Sequence, residues 1–438
     1  MRRKRSTICK TIVFFQNNKS KWACFCYNRQ VKYSIGGAVM KIVCTGYGIF
    51  APNTRNIDQY LFNLKNGVCT LQVAEGMGPK GESTIAGLIQ DEELKQIEAD
   101  DKLKRLPKVT KMGAAAVKEA ISSSRLDVRH KKVGLFFGLS LGATGEKLYQ
   151  DSIHYANHEL YRKVSLIFSH YANYHSITAA IGHYIGARGV EKTITTGCTS
   201  SLEAVEDAIL YLKSGKVDAA IVGGTDSPIC NATTYAFAKT KTIPLNQTLE
   251  EGAVPFQKGS KGFAMSEAAG AIVLEREEDA VQRKADIKGE IVDVVSNNDG
   301  INIFSLDGSG DQMLNALKEV TMGRKPDYIN SQALGIELND QIEQHCSKQL
   351  FNHEVPYTSI KSMYGNPFGA IGILQVISSL LSMQYGFIPP TIRTTRRGYE
   401  EMNIVTETLY REIHEVAITN HGFGGNNACA YMKKYTKS

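Results

Sequence analysis

The sequence lacks a long apolar run and lacks the regular spacing of histidines and cysteines that holds metals. A membrane-spanning helix needs about 20 consecutive apolar residues, and we find no such stretch in the 438 residues. The nine cysteines are odd in number and scattered, and Cys24 and Cys26 have no histidine near them. We therefore predict no metal site, no disulfide framework and no membrane partner, with a reducing cytoplasm as the natural setting.

Net charge is also nearly absent from most of the chain. The formal net charge is +7, but residues 1–39 hold nine Lys or Arg and no acid, which leaves 42 basic against 44 acidic residues from Met40 onward. Nucleic-acid binding normally needs a basic surface with interleaved aromatic residues. A neutral body without that pattern gives no support to a nucleic-acid partner.

From Met40 onward, short apolar runs with β-type composition alternate with longer helical segments. Strand candidates lie at 133–139, 219–223 and 271–274, and an alanine-rich helix is expected around 112–124. Continuous apolar strands between helices are typical of sheets that are covered by helices on both faces. The fold class is therefore predicted to be α/β.

The stretch Thr195-Thr196-Gly197-Cys198-Thr199-Ser200-Ser201 joins a predicted strand to a predicted amphipathic helix. A lone cysteine is more often an inert core residue than a nucleophile. At the start of a helix, however, free N–H groups and the positive end of the dipole lower a thiol pKa toward the thiolate. This placement makes Cys198 the candidate nucleophile.

Several segments, in order along the chain, resemble motifs of the β-ketoacyl-acyl carrier protein synthases, the condensing enzymes of fatty acid and polyketide assembly. The Cys198 stretch is similar to their T-A-C-[ST]-S turn. The other similar segments are 215–224 (G-x-A-D-x-x-x-x-G-G), 256–270 (F-D-x…G-F-V-x-G-E-G-A-G), 361–366 (K-S-x-x-G-H) and 422–427 (G-F-G-G-T-N). The resemblance spans residues 40 to about 435 and is closest in kind to the synthase II type.

The resemblance implies a thiolase-like fold, with two similar α/β halves in a five-layer arrangement. We place an N-terminal half that carries Cys198 at 40–284 and a C-terminal half at 285–438. Lys41 to Gly48 is similar to the first strand of the family, so the basic extension 1–39 is expected to lie outside the fold. Gly36-Gly37, shortly before Met40, is consistent with an upstream ribosome-binding sequence that has been translated in frame.

In the family, two histidines help to decarboxylate a malonyl unit, whose carbanion then attacks the acyl group on the cysteine. Here Gln332 occupies the position of the first histidine and Asn366 that of the second. A carboxamide can donate a hydrogen bond to a thioester oxygen, but it cannot carry a proton near neutral pH. Ordinary chain elongation is therefore in doubt, while acylation of Cys198 needs only a thiolate and an oxyanion hole.

The resemblance also implies roles for four further residues. Lys361 matches the active-site lysine of the family, and Phe423 supplies the second oxyanion-hole N–H, beside that of Cys198, and the gate to the acyl pocket. Glu267 is interpreted as a structural ion pair or loop anchor. His421 replaces a phenylalanine, and we hypothesise that it forms a rearranged set with Cys198 and Asn366 as base or thiolate partner.

A basic cluster precedes and begins the alanine-rich helix. Such runs are usually solvated helix faces; the alternative is a docking surface for an acidic carrier protein, which opposite charge would steer into place. Lys239 and Lys241 could extend this surface. The cluster consists of Lys102, Lys104, Arg105, Lys108 and Lys111.

We therefore expect an acyltransferase that forms an acyl thioester on Cys198 from an acyl carrier protein and passes the acyl group on without decarboxylative elongation. One alternative is a true decarboxylative 3-oxoacyl synthase with a rearranged active site. Another is a non-catalytic partner of a second ketosynthase, similar to chain-length factors. A homodimer or heterodimer is implied, and no cofactor is expected because the phosphopantetheine arrives on the carrier protein.

Overall fold

A mixed ten-stranded sheet runs through the protein and is covered by helices. The structure is a computed structural model that describes residues 34–35 and 38–437. Most of the predicted extension 1–39, including Gly36 and Gly37, lies outside the described residues. Residues 40–438 form one compact unit, and before it the strands Ser34–Ile35 and Ala38–Val39 pair antiparallel.

The described strands are numbered in chain order. They are β1 Ser34–Ile35, β2 Ala38–Val39, β3 Ile42–Phe50, β4 Gln72–Ala74, β5 Thr84–Gly87, β6 Val133–Gly138, β7 Glu191–Ile194, β8 Ala219–Asp226, β9 Met265–Ser266, β10 Ala268–Arg276, β11 Gly289–Asn298, β12 Tyr328–Asn330, β13 Tyr357–Thr358, β14 Phe387–Ile388, β15 Leu409–Tyr410, β16 Glu415–Gly422 and β17 Asn426–Lys433.

The described helices follow the same convention. They are α1 Ile57–Asn66, α2 Asp91–Glu98, α3 Lys108–Ser124, α4 Lys147–Asn157, α5 Phe168–Tyr171, α6 His175–Ile185, α7 Ser200–Lys213, α8 Asn231–Lys239, α9 Glu277–Gln282, α10 Asp311–Thr321, α11 Glu337–Phe351, α12 Lys361–Tyr364 and α13 Ile371–Tyr385. Short 3-10 turns lie at Pro79–Gly81, Tyr161–Lys163, Gly197–Thr199 and Phe368–Ala370.

The sheet order reveals an internal repeat that the residues themselves do not show. The first half of the sheet has the order β7-β6-β8-β10-β3 and the second has β13-β12-β16-β17-β11. If the five strands of each half are numbered in chain order, both halves have the spatial order 3-2-4-5-1. In each half, strand 5 (β10 or β17) is antiparallel to its neighbours. The two first strands, β3 and β11, pair antiparallel and join the halves. The predicted boundary between 284 and 285 falls in the loop between α9 and β11.

Helices complete five layers around the two half-sheets. Helix α3 packs on the outer face of β3, β8 and β10, while α10 packs on β11 and β17 and contacts α11, whose Glu343 reaches Thr419 of β16. Helices α7 and α13 contact strands of both halves and therefore form the middle layer. Their apolar faces fill the central core, which includes Leu202, Val205, Ile373, Leu374 and Ile377. This is the thiolase-like arrangement that the resemblance implies.

The segment Phe368–Tyr385 is long and apolar enough to cross a membrane, with a mean hydropathy of 1.3 over 18 residues. The sequence pattern did not predict such a segment. Of this segment, 89% is buried inside the protein, because α13 is packed between the two half-sheets. A helix at the centre of a globular core has this composition without any membrane role.

Candidate active site

Cys198 lies on the 3-10 turn between β7 and α7, as the sequence pattern predicts. Gly197 adopts φ +76° there, a backbone conformation that favours glycine. The Ser200 hydroxyl accepts a hydrogen bond from the Thr196 N–H at 2.9 Å and lies 2.9 Å from the Leu139 carbonyl, to which it can donate. These contacts fix the turn against the end of β6 and hold the thiol at the start of the central helix.

The thiol of Cys198 is buried, at 8% exposure, and faces the side-chain amide of Asn366. The Asn366 Nδ2 lies 3.4 Å from Sγ and the Oδ1 lies 3.9 Å from it. Burial raises the pKa of Cys198, while the Asn366 hydrogen bond and the charge of Lys361 lower it. Burial outweighs both, so the net direction is opposite to the lowering expected from the helix start alone.

Backbone contacts fix Asn366 in place. Its N–H donates to the Ala264 carbonyl at 2.8 Å, and its carbonyl accepts from the Ser266 N–H at 3.1 Å. Gly365 precedes it with φ +67°. The backbone of Asn366 is thus held by β9 and by Ala264, which precedes β9.

Lys361 begins α12 and is almost completely buried. Its Nζ donates to the Ser331 carbonyl at 3.1 Å. Burial lowers the pKa of Lys361 to about 7, and negative charges at Cys198, Glu343 and Asp340 act in the opposite direction. A lysine with this pKa exchanges a proton readily near neutral pH.

Gln332 follows β12 in a loop held by the buried carboxyl of Asp340, which accepts the N–H groups of Leu334 and Gly335. The Gln332 N–H donates to the Thr419 hydroxyl at 3.1 Å. Its side chain is fully buried, and both amide atoms, Nε2 and Oε1, have no hydrogen-bond partner among the described residues.

His421 does not make the predicted contact with Cys198. Its Nδ1 lies 3.2 Å from the Asn339 Nδ2, and its Nε2 lies 3.2 Å from the Glu343 Oε1. Both ring nitrogens are therefore used within a buried network, although the residue lines the same cavity as the thiol. The rearranged set of Cys198, His421 and Asn366 is corrected to the pair Cys198 and Asn366.

The two partners of His421 were missed at the sequence level. Asn339 and Glu343 are four residues apart on α11 and so lie on one face of that helix. Glu343 also accepts the hydroxyl of Thr419 at 2.9 Å with each of its oxygens. The i, i+4 spacing of two polar side chains was the available signal, but it did not indicate which residue they would face.

A cavity of about 460 Å³ opens above Cys198. Its polar wall includes Gln332, Asn339, Asn366 and His421, and the residues that line it include no Lys, Arg, Asp or Glu. Phe423, 43% exposed, lies on the loop between β16 and β17. The apolar lining consists of Leu141, Ala236, Phe237, Phe263, Phe304, Leu306, Leu334, Ile336, Phe368 and Phe423.

Glu267 is a structural anchor in this protein. Its Oε2 accepts from the Lys108 Nζ at 2.6 Å and from the Ile89 N–H at 2.9 Å, and its Oε1 accepts from the Ser227 hydroxyl at 2.8 Å. Lys108 is consequently not free to dock a carrier protein.

The other residues of the predicted docking cluster are either paired inside the protein, as Lys108 is, or exposed. Lys111 is buried and pairs with Glu98 at 2.6 Å. Lys102, Lys104 and Arg105 are exposed. Lys239 and Lys241 are also exposed, and they alternate with Thr240 and Thr242, which line the cavity above Cys198. Lys239 and Lys241 are therefore exposed positive charges that directly adjoin residues of the cavity wall in the sequence.

In the described part of the chain, no three His, Cys, Asp or Glu side chains form a group that could hold a metal ion.

Two family models match the chain. Residues 40–280 match "Beta-ketoacyl synthase, N-terminal domain" and residues 288–395 match "Beta-ketoacyl synthase, C-terminal domain". The 3-oxoacyl-[acyl-carrier-protein] synthase 2 of Staphylococcus aureus (strain MRSA252) is 26% identical over 419 residues, which cover 90% of this chain and 99% of that protein.

Solved structures show the same fold. A type II polyketide synthase acyl carrier protein in complex with its ketosynthase bound to the hexaketide matches with a TM-score of 0.80 at 19% identity, covering 91% of this chain and 100% of that one. The ishigamide ketosynthase/chain length factor matches with a TM-score of 0.78 at 20% identity over 91% and 100% of the two chains. The chain thus belongs to the beta-ketoacyl synthase family, as an acyltransferase-type enzyme similar to 3-oxoacyl-[acyl-carrier-protein] synthases.

Proposed function

We propose that this enzyme takes an acyl group from an acyl carrier protein onto Cys198 and passes it on without decarboxylative elongation. The observation that carries the proposal is the composition of the cavity. A buried thiol shares it with Asn366 and Gln332, the carboxamides at the two histidine positions of the family, with the carboxamide of Asn339, and with an imidazole whose two nitrogens are already used.

Acylation is a thioester exchange. The Cys198 thiol loses its proton, the sulfur attacks the carbonyl carbon of the carrier thioester, and the carrier thiol leaves with a proton. Lys361, with a pKa of about 7, is our candidate for the group that takes the first proton and returns it. The oxyanion is assigned to the N–H groups of Cys198 and Phe423, and Asn366 donates to the thiolate.

The absence of elongation follows from what the cavity wall offers. Neither carboxamide can carry a proton near neutral pH, and the loss of a positioned acid or base typically costs about 10²- to 10⁴-fold in rate. No cationic side chain lines the cavity to bind a malonyl carboxylate. An acyl chain, in contrast, fits the largely apolar wall.

An acyl carrier protein is the proposed donor, and a second ketosynthase chain, identical or different, is the proposed partner. Support comes from the solved structure of a ketosynthase with its carrier protein and from that of a ketosynthase/chain length factor.

Decarboxylative condensation stands as a second candidate because Nε2 of Gln332 and Nδ2 of Asn366 are both donors. Two amide N–H groups directed at one thioester oxygen would stabilise an enolate. The third candidate, a non-catalytic partner, is less consistent with a nucleophile that keeps an amide partner and an open cavity.

The test is the intact mass of the full-length protein after incubation with acyl carrier proteins of several chain lengths, with Cys198→Ala as the matched control. A mass gain that requires Cys198 supports acyl transfer. A chase with malonyl-carrier protein then separates the first two candidates, because condensation releases a product two carbons longer. No gain with any donor, in a folded protein that binds a second ketosynthase, would support the non-catalytic partner.

A further inference from the structure

The side chain of Gln332 is a hydrogen-bonding group without a protein partner among the described residues, and it lines the cavity above Cys198. It is fully buried, and neither its Nε2 nor its Oε1 has a partner among the described residues. Because both atoms are unpaired, the observation does not depend on which way the amide is turned. A buried polar group left without a partner is costly, so such groups normally meet protein, water or ligand.

The other polar groups of the cavity wall do not supply that partner. The amide of Asn366 faces the thiol of Cys198. The ring nitrogens of His421 face Asn339 and Glu343. The hydroxyls of Thr240 and Thr242 can both donate to the Phe237 carbonyl, and the remaining wall is largely aliphatic or aromatic. The two unpaired amide atoms are therefore available to whatever occupies the cavity.

The carbonyl oxygen of Gln332 decides the chemistry of that occupant. A thioester, a ketone and a carboxylate offer only acceptors, so each can pair with Nε2 but leaves Oε1 unsatisfied. Oε1 needs an O–H or N–H donor. A charged ammonium group is disfavoured because the cavity wall contains no carboxylate to balance it. A neutral donor meets both conditions, and on an acyl chain the smallest such group is a hydroxyl.

We propose that the acyl group carried by Cys198 bears a hydroxyl near its thioester end, which donates to Oε1 of Gln332 while Nε2 donates to an acyl oxygen. This inference rests on the proposed acylation of Cys198 and specifies its substrate class. A reaction that reduces a 3-oxoacyl thioester, or that hydroxylates an acyl chain, must supply such a substrate.

The test compares rates of Cys198 acylation of the full-length protein, measured as kcat/KM from intact mass, for octanoyl-, 2-hydroxyoctanoyl- and 3-hydroxyoctanoyl-carrier protein. One hydroxyacyl donor is expected to react at least about tenfold faster than octanoyl, since only it satisfies the buried oxygen. The methoxy analogue of that donor keeps the oxygen but lacks the hydrogen, and it is expected to lose the preference.

Gln332→Met keeps the length of the side chain and removes both polar atoms, so the ratio of hydroxyacyl to acyl rates should fall to about one or below. Gln341→Met is the matched control, because it makes the same change at an exposed position outside the cavity; it should keep the wild-type ratio. If Gln332→Met does not fold, the methoxy comparison still decides the question in the wild-type enzyme.

Two results would overturn the inference, and they are distinguishable. Loading of all the donors on Cys198 at equal rates would mean that water fills the site at Gln332, and the proposed acyl transfer would stand. No loading by any donor would remove the proposed function and this inference together.

Discussion

The Nδ2 atom of Asn366 lies 3.4 Å from the Sγ atom of Cys198, across 168 positions of sequence. This contact joins the two halves of the fold at the nucleophile, since Cys198 precedes α7 and Asn366 follows α12. It is also the closest hydrogen-bonding contact of the thiol side chain among the described residues.

Replacement of that amide should weaken the thiolate. Asn366→Leu removes the hydrogen bond that lowers the thiol pKa, so the pKa of Cys198 should rise further because of its burial. We expect alkylation of Cys198 by iodoacetamide at pH 7.5 to slow by about tenfold, which corresponds to about one pKa unit. Asn157→Leu makes the same change at an exposed position and should leave the rate unaltered. Equal rates in both variants would contradict the role of Asn366.

Lys361 should make stability depend on pH. Burial lowers the pKa of Lys361 from its usual value near 10.5 to about 7 in the folded protein. Between these values the unfolded lysine binds a proton that the folded one does not, so stability should rise with pH by up to about 1.4 kcal/mol per unit from this group and stay constant below pH 7. Lys361→Met has no group that titrates at this position, and its urea unfolding curves at pH 7 and 9 should differ less than those of the wild type. An unchanged difference would count against the buried, neutral lysine.

His421 is expected to matter for stability and not for the nucleophile. His421→Phe leaves Glu343 and Asn339 without their ring partners and should lower the free energy of unfolding by about 2 kcal/mol. The pH profile of Cys198 alkylation should stay as in the wild type. His130→Phe, at an exposed site, should change stability by less than about 0.5 kcal/mol. A shifted alkylation profile in His421→Phe would restore the imidazole as a thiolate partner.

The ion pair of Lys108 with Glu267 should contribute to folding. Lys108→Met leaves a carboxylate with a nearly buried side chain without its cation and should destabilise the protein by about 2 kcal/mol, as measured by urea unfolding. The exposed Lys104→Met should have an effect below about 0.5 kcal/mol. Similar losses in both variants would be inconsistent with a specific anchor.

Carrier-protein docking should depend on the exposed pair next to the cavity. Charge reversal at Lys239 and Lys241 is expected to raise KM for acyl-carrier protein about tenfold at low salt, with a smaller effect at 0.5 M NaCl because salt screens exposed charges. Reversal of Lys102 and Lys104 should have a smaller effect. The reverse ranking would move the docking surface to the start of α3.

The nucleophile turn and the fold class could be read from the sequence because both depend on local patterns. Cys198 sits where strand-type residues give way to helical spacing, and the ordered motifs identify the family. The surroundings of His421 could not be read in this way. Its partners Asn339 and Glu343 lie about 80 positions away, and only the packing of α11 against β16 brings them together.

The same limit applies to the thiol pKa and to the basic cluster. Helix position favours the thiolate of Cys198, but burial beneath distant segments outweighs it, and burial is not visible in a local pattern. The run from Lys102 to Lys111 looks uniform in sequence, yet Lys108 and Lys111 turn inward to Glu267 and Glu98. The spacing of charges therefore predicted a docking surface of five residues, of which only Lys102, Lys104 and Arg105 are exposed.

The separation of 168 positions between Cys198 and Asn366 also sets the timing of thiol protection during synthesis. Cys198 leaves the ribosome long before Asn366. Gly422 packs so close to Cys198 that a Cβ added to it would lie 3.5 Å from the sulfur, and it is made almost last. Until those residues arrive, the thiol has neither its amide partner nor its cover. A nascent chain should therefore be alkylated freely at Cys198, and resistance to alkylation should report the moment at which the second half docks.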